Sequence, residues 1–119
     1  MTKPRVTYRI EVDFDDMPVR GNAMASGDAA ADKEVEDEIL RRLDRGDVWA
    51  WASVQVVAEC QGFRGTDSLG GCSYKDEEDF KTGGYYKDMR REALADLKKT
   101  LAWKVEDGRK AAKLLKLLS

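Results

Sequence analysis

The sequence predicts an α+β fold in which helices pack on one face of a three-stranded antiparallel sheet, in the order β-α-β-β-α-α. Residues 5–14 and 47–60 alternate between apolar and other side chains, which is the period of a strand. Residues 29–45 and 85–118 repeat apolar side chains at helical spacing. The length of 119 residues suits a single α+β domain over 1–119, with 106–119 as a separately docked C-terminal helix.

The first strand is the segment RVTYRIEVDF. Its alternation puts five apolar side chains on one face: Val6, Tyr8, Ile10, Val12 and Phe14. Pro18 cannot donate to a strand ladder, so a long loop is expected from residue 15 to about residue 28. Long ordered loops in small domains are frequently functional.

The first helix begins after Ser26 or Asp28, either of which can cap its N-terminus. Its predicted inner stripe consists of Ala31, Val35, Ile39 and Leu43, with Leu40 beside it. Acidic residues near the start and arginines near the end complement the helix dipole, and Gly46 ends the helix.

A β-hairpin is predicted around Gln61 and Gly62, a two-residue turn that joins DVWAWASVQVVAEC to FRGTDSLGGCSY. In this register Trp49 opposes Tyr74 and Trp51 opposes Cys72. Cys60 and Cys72 then point to opposite faces of the sheet, which forbids a disulfide between them.

The C-terminal third is predicted to be helical. Residues 76–82 form one short helical turn, 85–105 form the main helix, and the lysine-rich tail forms a second amphipathic segment. The tail turns Ala111, Leu114, Leu115 and Leu118 inward. It is expected to dock on the main helix or on a second copy of the chain, which makes a homodimer one expected form.

Several functional classes are excluded by composition. The chain has no histidine and two cysteines, which removes the usual general base and the usual zinc sites. We therefore expect no metal and no cofactor. An enzyme that uses carboxylates alone as acid and base is a third alternative, but no pair of carboxylates is identified, so no catalytic residue is assigned. Because no segment is apolar enough to span a membrane or resembles a leader, a cytoplasmic protein with no membrane partner is expected.

The charge is unevenly distributed along the chain. Residues 1–97 hold 14 Lys and Arg against 21 Asp and Glu, whereas residues 98–119 hold 7 against 2. This describes an acidic body with a basic tail. An acidic body repels the phosphate backbone, so direct binding of duplex DNA is not expected.

Aromatic and acidic side chains are the first candidates for a binding site. The aromatic candidates are Trp49, Trp51, Tyr74, Tyr85 and Tyr86. The first three share the outer face of the predicted hairpin, where they form either an exposed binding patch or a second small core beneath the loop at 15–28. The acidic candidates are Asp76, Glu77, Glu78 and Asp79, which suit the start of a helix and could also occupy a basic nucleic-acid groove.

A ligand pocket between the loop at 15–28 and the hairpin at 47–74 is the alternative. Its candidate residues are Arg20, Asn22, Ser26 and Asp67, and a small ligand or nucleotide would be bound there. The glycine-rich segment GFRGTDSLGG lacks the spacing of a phosphate-binding loop. Its glycines are expected to relieve crowding or to mark a bulge.

Four segments together carry a resemblance: PVRGNAMASGD, DVWAWASV, LGGCSYKDEEDF and GGYYKDMRREALADL. Over about residues 5–97 the chain resembles small, functionally unassigned proteins of bacteriophages, prophages and other mobile elements. The resemblance implies an accessory protein that acts on the bacterial host. Such small acidic proteins are often inhibitors of defence, such as anti-CRISPR proteins, so the implied partner is a host protein or nucleoprotein complex.

Overall fold

The described part of the chain folds into three strands and four α-helices. The computed structural model describes residues 4–24, 26–104 and 108–119. Its elements are β1 (Thr7–Phe14), α1 (Ala29–Asp44), a 3₁₀ turn (Val48–Ala50), β2 (Ala52–Cys60), β3 (Phe63–Cys72), α2 (Glu77–Thr82), α3 (Gly84–Lys104) and α4 (Arg109–Leu118). The α+β class and the predicted order of elements are confirmed.

The three strands form one antiparallel sheet with β2 in the middle. Gln61 and Gly62 have φ values of 50° and 87°. A two-residue turn with both φ values positive is the kind whose twist matches that of the strands it joins. The amide of Tyr74 donates to the carbonyl of Trp49 at 2.9 Å, which is the predicted register of the hairpin.

The chain divides into two compact units. One contains Val12–Val54 and Leu69–Gly83, and the other contains Met1–Glu11, Gln55–Ser68 and Gly84–Ser119. The first holds 15 Asp and Glu against 7 Lys and Arg, a balance of −8, and we call it the acidic unit. The second holds 8 against 14, a balance of +6, and we call it the basic unit.

The core of the basic unit forms where α3 crosses the sheet at Gly65. A Cβ at this position would overlap the amide nitrogen of Leu97 and the carbonyl oxygen of Ala93, so only glycine allows the helix to lie this close. The carboxylate of Asp96 accepts the Thr66 amide at 2.8 Å beside the crossing. The expected structural role of this glycine is confirmed.

Helix α4 packs on α3 through the apolar face that its sequence predicts. Ala111, Leu114 and Leu118 are buried and Leu115 is half-buried, whereas Lys113 and Lys116 are exposed. Of the two expected docking surfaces, the structure shows α3 of the same chain. Val105, the last residue of the predicted main helix, and Glu106, the first residue of the predicted tail segment, lie outside the described residues.

The core of the acidic unit is a cluster of Val19, Ile39, Ala50 and Trp51. The Trp51 Nε1 donates to the carbonyl of Met17 at 2.7 Å, so the loop after β1 covers the indole. The carboxylate of Asp15 accepts the amides of Met17 and Gly71 at 2.8 and 2.6 Å. These backbone hydrogen bonds lower the pKa of Asp15 below its ordinary value.

Four details of the sequence interpretation are wrong. Ala31, predicted to be inward on α1, is exposed. The strand predicted from residue 47 begins only at Ala52, because the side chain of Asp47 accepts the Trp49 amide and starts the 3₁₀ turn. Phe14 is 50% exposed at the end of β1 and is not a core residue. Val35, predicted to be inward on α1, is 37% exposed, while Glu36 is buried.

No helix in the described ranges combines the length and the apolar character that crossing a membrane would require.

Candidate functional site

The five aromatic candidates do not form one surface. Trp51 is 3% exposed, so it does not belong to an exposed patch. The covering loop makes it part of a small core, which is the other outcome that the sequence allowed.

Trp49 and Tyr74 pack together with Phe80 of α2. The Trp49 and Tyr74 rings meet edge to face with centroids 6.4 Å apart, and the centroid of Phe80 lies 5.7 Å from Trp49 and 5.3 Å from Tyr74. Phe80 is fully buried, and the other two are half-buried. This cluster joins the start of the hairpin to α2 within the acidic unit.

Tyr85 and Tyr86 belong to the basic unit, at the start of α3. Tyr85 is 60% exposed. The guanidinium carbon of Arg90 lies 4.5 Å from the ring centroid of Tyr8 and 5.6 Å from that of Tyr86, the geometry of a cation–π contact. Tyr86 therefore packs within its own unit.

The four acidic candidates start α2, as their position in the sequence suggested. Asp76 caps the helix by accepting the Asp79 amide at 2.9 Å, and Asp79 accepts the Lys75 amide at 2.9 Å. Glu77 and Glu78 pair with Lys81 at 3.5 and 3.8 Å across an exposed surface. All four remain exposed and add to the negative charge of the acidic unit.

The four residues of the predicted ligand pocket do not converge on one site. Arg20 pairs with Glu36 and Asp37, Asn22 donates to the Pro18 carbonyl, and Ser26 donates to Asp32. These three hold the loop to itself and to α1, while Asp67 belongs to the basic unit.

A different concave surface lies in the acidic unit, and we call it the groove. It has a volume of about 700 Å³, which falls within the usual range of ligand pockets. Its lining residues come from the loop, α1 and the hairpin: Ala23, Glu34, Val35, Glu38, Ile39, Arg41, Arg42, Trp51, Gly71 and Ser73. Gly71 permits this wall because its φ is 62°, a conformation that other residues rarely adopt.

The floor of the groove is apolar and its basic side chains are already paired. Ile39 and Trp51 form the floor, and Val35 stands beside them on the wall. Arg42 donates to Asp47 at 2.8 Å and to the Tyr74 carbonyl at 2.5 Å. Arg41 donates to Glu38 at 2.8 Å, and this guanidinium lowers the pKa of Glu38, which is therefore ionised at neutral pH.

Sequence reasoning missed the groove because it placed Val35 in the core. The apolar stripe of α1 was visible in the sequence, but only its second half is covered in the structure. Ala31 in the first half is exposed, whereas Ile39 in the second half is buried.

The two cysteines are buried within the fold. Cys60 and Cys72 are free and buried, and burial raises the pKa of both thiols, which disfavours the nucleophilic thiolate. Within the described ranges, no group of three or more Cys, Asp or Glu side chains is arranged to hold a metal ion. No protein-family model, curated protein or solved structure matches this chain.

Proposed function

We propose that the protein is a non-enzymatic binding protein whose acidic unit docks on the basic surface of a bacterial host complex. The observation that carries the proposal is the partition of charge. A total of −2 is too small to imitate a nucleic acid, but the acidic unit alone has a balance of −8. Such a field accelerates association with a basic partner.

The resemblance to phage and mobile-element proteins supplies the biological setting of this proposal. A host complex that binds DNA or RNA has a basic nucleic-acid-binding surface, and the acidic unit would occupy that surface. The finer form of the proposal is therefore an anti-defence protein of the bacterial cytoplasm, such as an anti-CRISPR protein.

A plaque assay tests this proposal. Expression of the protein in a bacterium with an active CRISPR system should restore plaques of a phage that the system targets, without affecting a phage that it does not target. Unchanged interference against targeted phages, across hosts with the different CRISPR types, would overturn the anti-CRISPR form.

Matched charge variants test the docking surface. We choose four exposed carboxylates of the acidic unit for neutralisation together: Asp13→Asn, Asp44→Asn, Glu77→Gln and Glu78→Gln. This variant should lose inhibition, because it removes half of the negative balance of its unit. The control neutralises four exposed cations of the basic unit: Lys99→Gln, Arg109→Gln, Lys113→Gln and Lys116→Gln. Equal loss in both variants would contradict docking through the acidic unit.

A small-ligand binder is the second candidate, because the groove is large enough for a ligand. Glu34 on its rim disfavours a nucleotide, whose phosphates it would repel, because Glu38 is already paired with Arg41. Native mass spectrometry with a panel of nucleotides tests this candidate, and a specific nucleotide complex would favour it over docking.

A further inference from the structure

The groove combines an apolar floor with a rim on which one charged side chain, Glu34, has no charged partner among the described residues. Ile39 and Trp51 are almost completely buried at the floor, but Val35 on the wall is 37% exposed. An apolar side chain entering the groove would cover Val35 and displace water from apolar surface, which is favourable.

The charges around the groove determine which charged residues of a partner can flank that apolar side chain. Arg41 and Arg42 are already bound to carboxylates of their own unit. The carboxylate of Glu34 has no hydrogen bond or ion pair with any described residue, so it is available to an incoming cation. The balance of −8 on the whole unit attracts cations and repels anions at longer range.

We propose that the groove binds a segment of a partner protein that presents a large apolar side chain between lysines or arginines. The apolar side chain lies against Val35 above Ile39 and Trp51, and a flanking cation pairs with Glu34. This inference rests on the proposed function and names the chemistry of the partner surface. It also separates the groove, which supplies specificity, from the general charge of the unit, which supplies attraction.

The test uses the full chain and a defined probe. The probe is a fluorescein-labelled hexapeptide in which two phenylalanines stand between two pairs of lysines, and binding is measured by fluorescence anisotropy. We expect saturable binding. Replacing the phenylalanines by serines should weaken it by about tenfold, and replacing the lysines by glutamates should abolish it.

Matched variants locate the binding. Val35→Ser and Glu34→Lys should each weaken the probe by about fivefold or more, which is the loss expected at a residue that contributes to an interface. Met24→Ser and Asp16→Lys are the controls, because these exposed residues belong to the same unit and do not line the groove. The controls should change the affinity by less than about twofold.

Amide chemical shifts provide a readout that needs no variant. On titration with the probe, the ¹H–¹⁵N signals of Val35 and Ser73 should shift, and those of α4 should not. Shifts spread over all acidic residues, or equal losses in Glu34→Lys and Asp16→Lys, would show attraction by charge alone and would overturn the inference. Binding of phenethylamine as tight as that of the peptide would identify a small-cation site and would also overturn it.

The two proposals can fail separately. If the protein binds the probe in the groove but does not alter CRISPR interference, the inference about the groove stands and the anti-CRISPR form of the proposed function is overturned. If Val35→Ser inhibits CRISPR interference as well as the wild type does, the proposed function stands and the inference about the groove is overturned.

Discussion

The three tryptophans of the chain lie in three environments that their sequence positions do not distinguish. Trp51 is buried and donates a hydrogen bond, and Trp49 is half-buried against two other aromatic rings. Trp103 is 86% exposed on α3. Replacing a buried and an exposed tryptophan by alanine therefore compares the contribution of a core side chain to stability with that of a surface side chain.

We expect Trp51→Ala to reduce the free energy of unfolding by about 3–5 kcal/mol, since it leaves a cavity and removes a buried hydrogen bond. Trp103→Ala should change it by less than about 0.5 kcal/mol, because the indole contacts mainly solvent. Urea unfolding followed by far-UV circular dichroism measures both without relying on tryptophan emission. Similar losses in the two variants would contradict the burial of Trp51.

Asp15 should make the stability depend on pH in the acidic range. Its pKa is lowered in the folded chain by the Met17 amide and then by the Gly71 amide, so the unfolded state binds the proton more readily. The stabilisation is complete above the unfolded pKa of about 4 and is lost as pH falls through the lower folded pKa. Below about pH 4, Asp15→Asn should make the decrease in stability shallower.

The measurement is the urea midpoint between about pH 6 and pH 2.5 for wild type, Asp15→Asn and Asp16→Asn. Asp16 is the matched control, because it is the exposed neighbour and accepts no hydrogen bond in the described part of the chain. An unchanged pH profile in Asp15→Asn would show that its two amide contacts do not stabilise the fold.

At the scale of elements, the closest approach is that of α3 to β3. Gly65→Ala should reduce the free energy of unfolding by about 2 kcal/mol or more, because its methyl group would displace the backbone of α3. Gly84→Ala is the control, since a Cβ at the first residue of α3 meets no atom within 4 Å. Chemical denaturation compares the two, and a neutral Gly65→Ala would contradict the crossing.

The docking of α4 can be tested on its two faces. Leu114→Ala should cost about 2–4 kcal/mol of unfolding free energy, because Leu114 is buried in the basic unit. Lys113→Ala, one residue away on the exposed face, should cost less than about 0.5 kcal/mol. The urea midpoints of both variants provide the measurement. An equal effect of the two substitutions would indicate that the helix does not dock through its leucines.

At the scale of the whole molecule, the two units carry net charges of opposite sign, and the basic unit includes more than the C-terminal tail. Helix α3, with six Lys and Arg against three Asp and Glu, contributes to its balance of +6 together with α4, which has four Lys and Arg and no acidic residue. The net charge of −2 is therefore the sum of two larger net charges of opposite sign, −8 on the acidic unit and +6 on the basic unit. This partition is what makes binding to a basic partner a reasonable proposal for a chain that is nearly neutral.

We expect no measurable binding to duplex DNA at about 150 mM salt, because screening weakens the attraction of the basic unit and the acidic unit repels phosphate. A gel-shift titration measures this. A shift at that salt that disappears in the combined variant Lys110→Ser, Lys113→Ser and Lys116→Ser would contradict the prediction and make α4 a nucleic-acid-binding helix.

The sequence by itself determined the order of elements, the hairpin turn at Gln61 and Gly62 and the buried face of α4. Each depends on local periodicity or on turn chemistry, which neighbouring residues carry. Only the tertiary structure decided that a loop covers Trp51, that Val35 lines a groove and that the charges separate into two units. These properties depend on which distant segments pack together, and an alternating or helical pattern does not specify its packing partner.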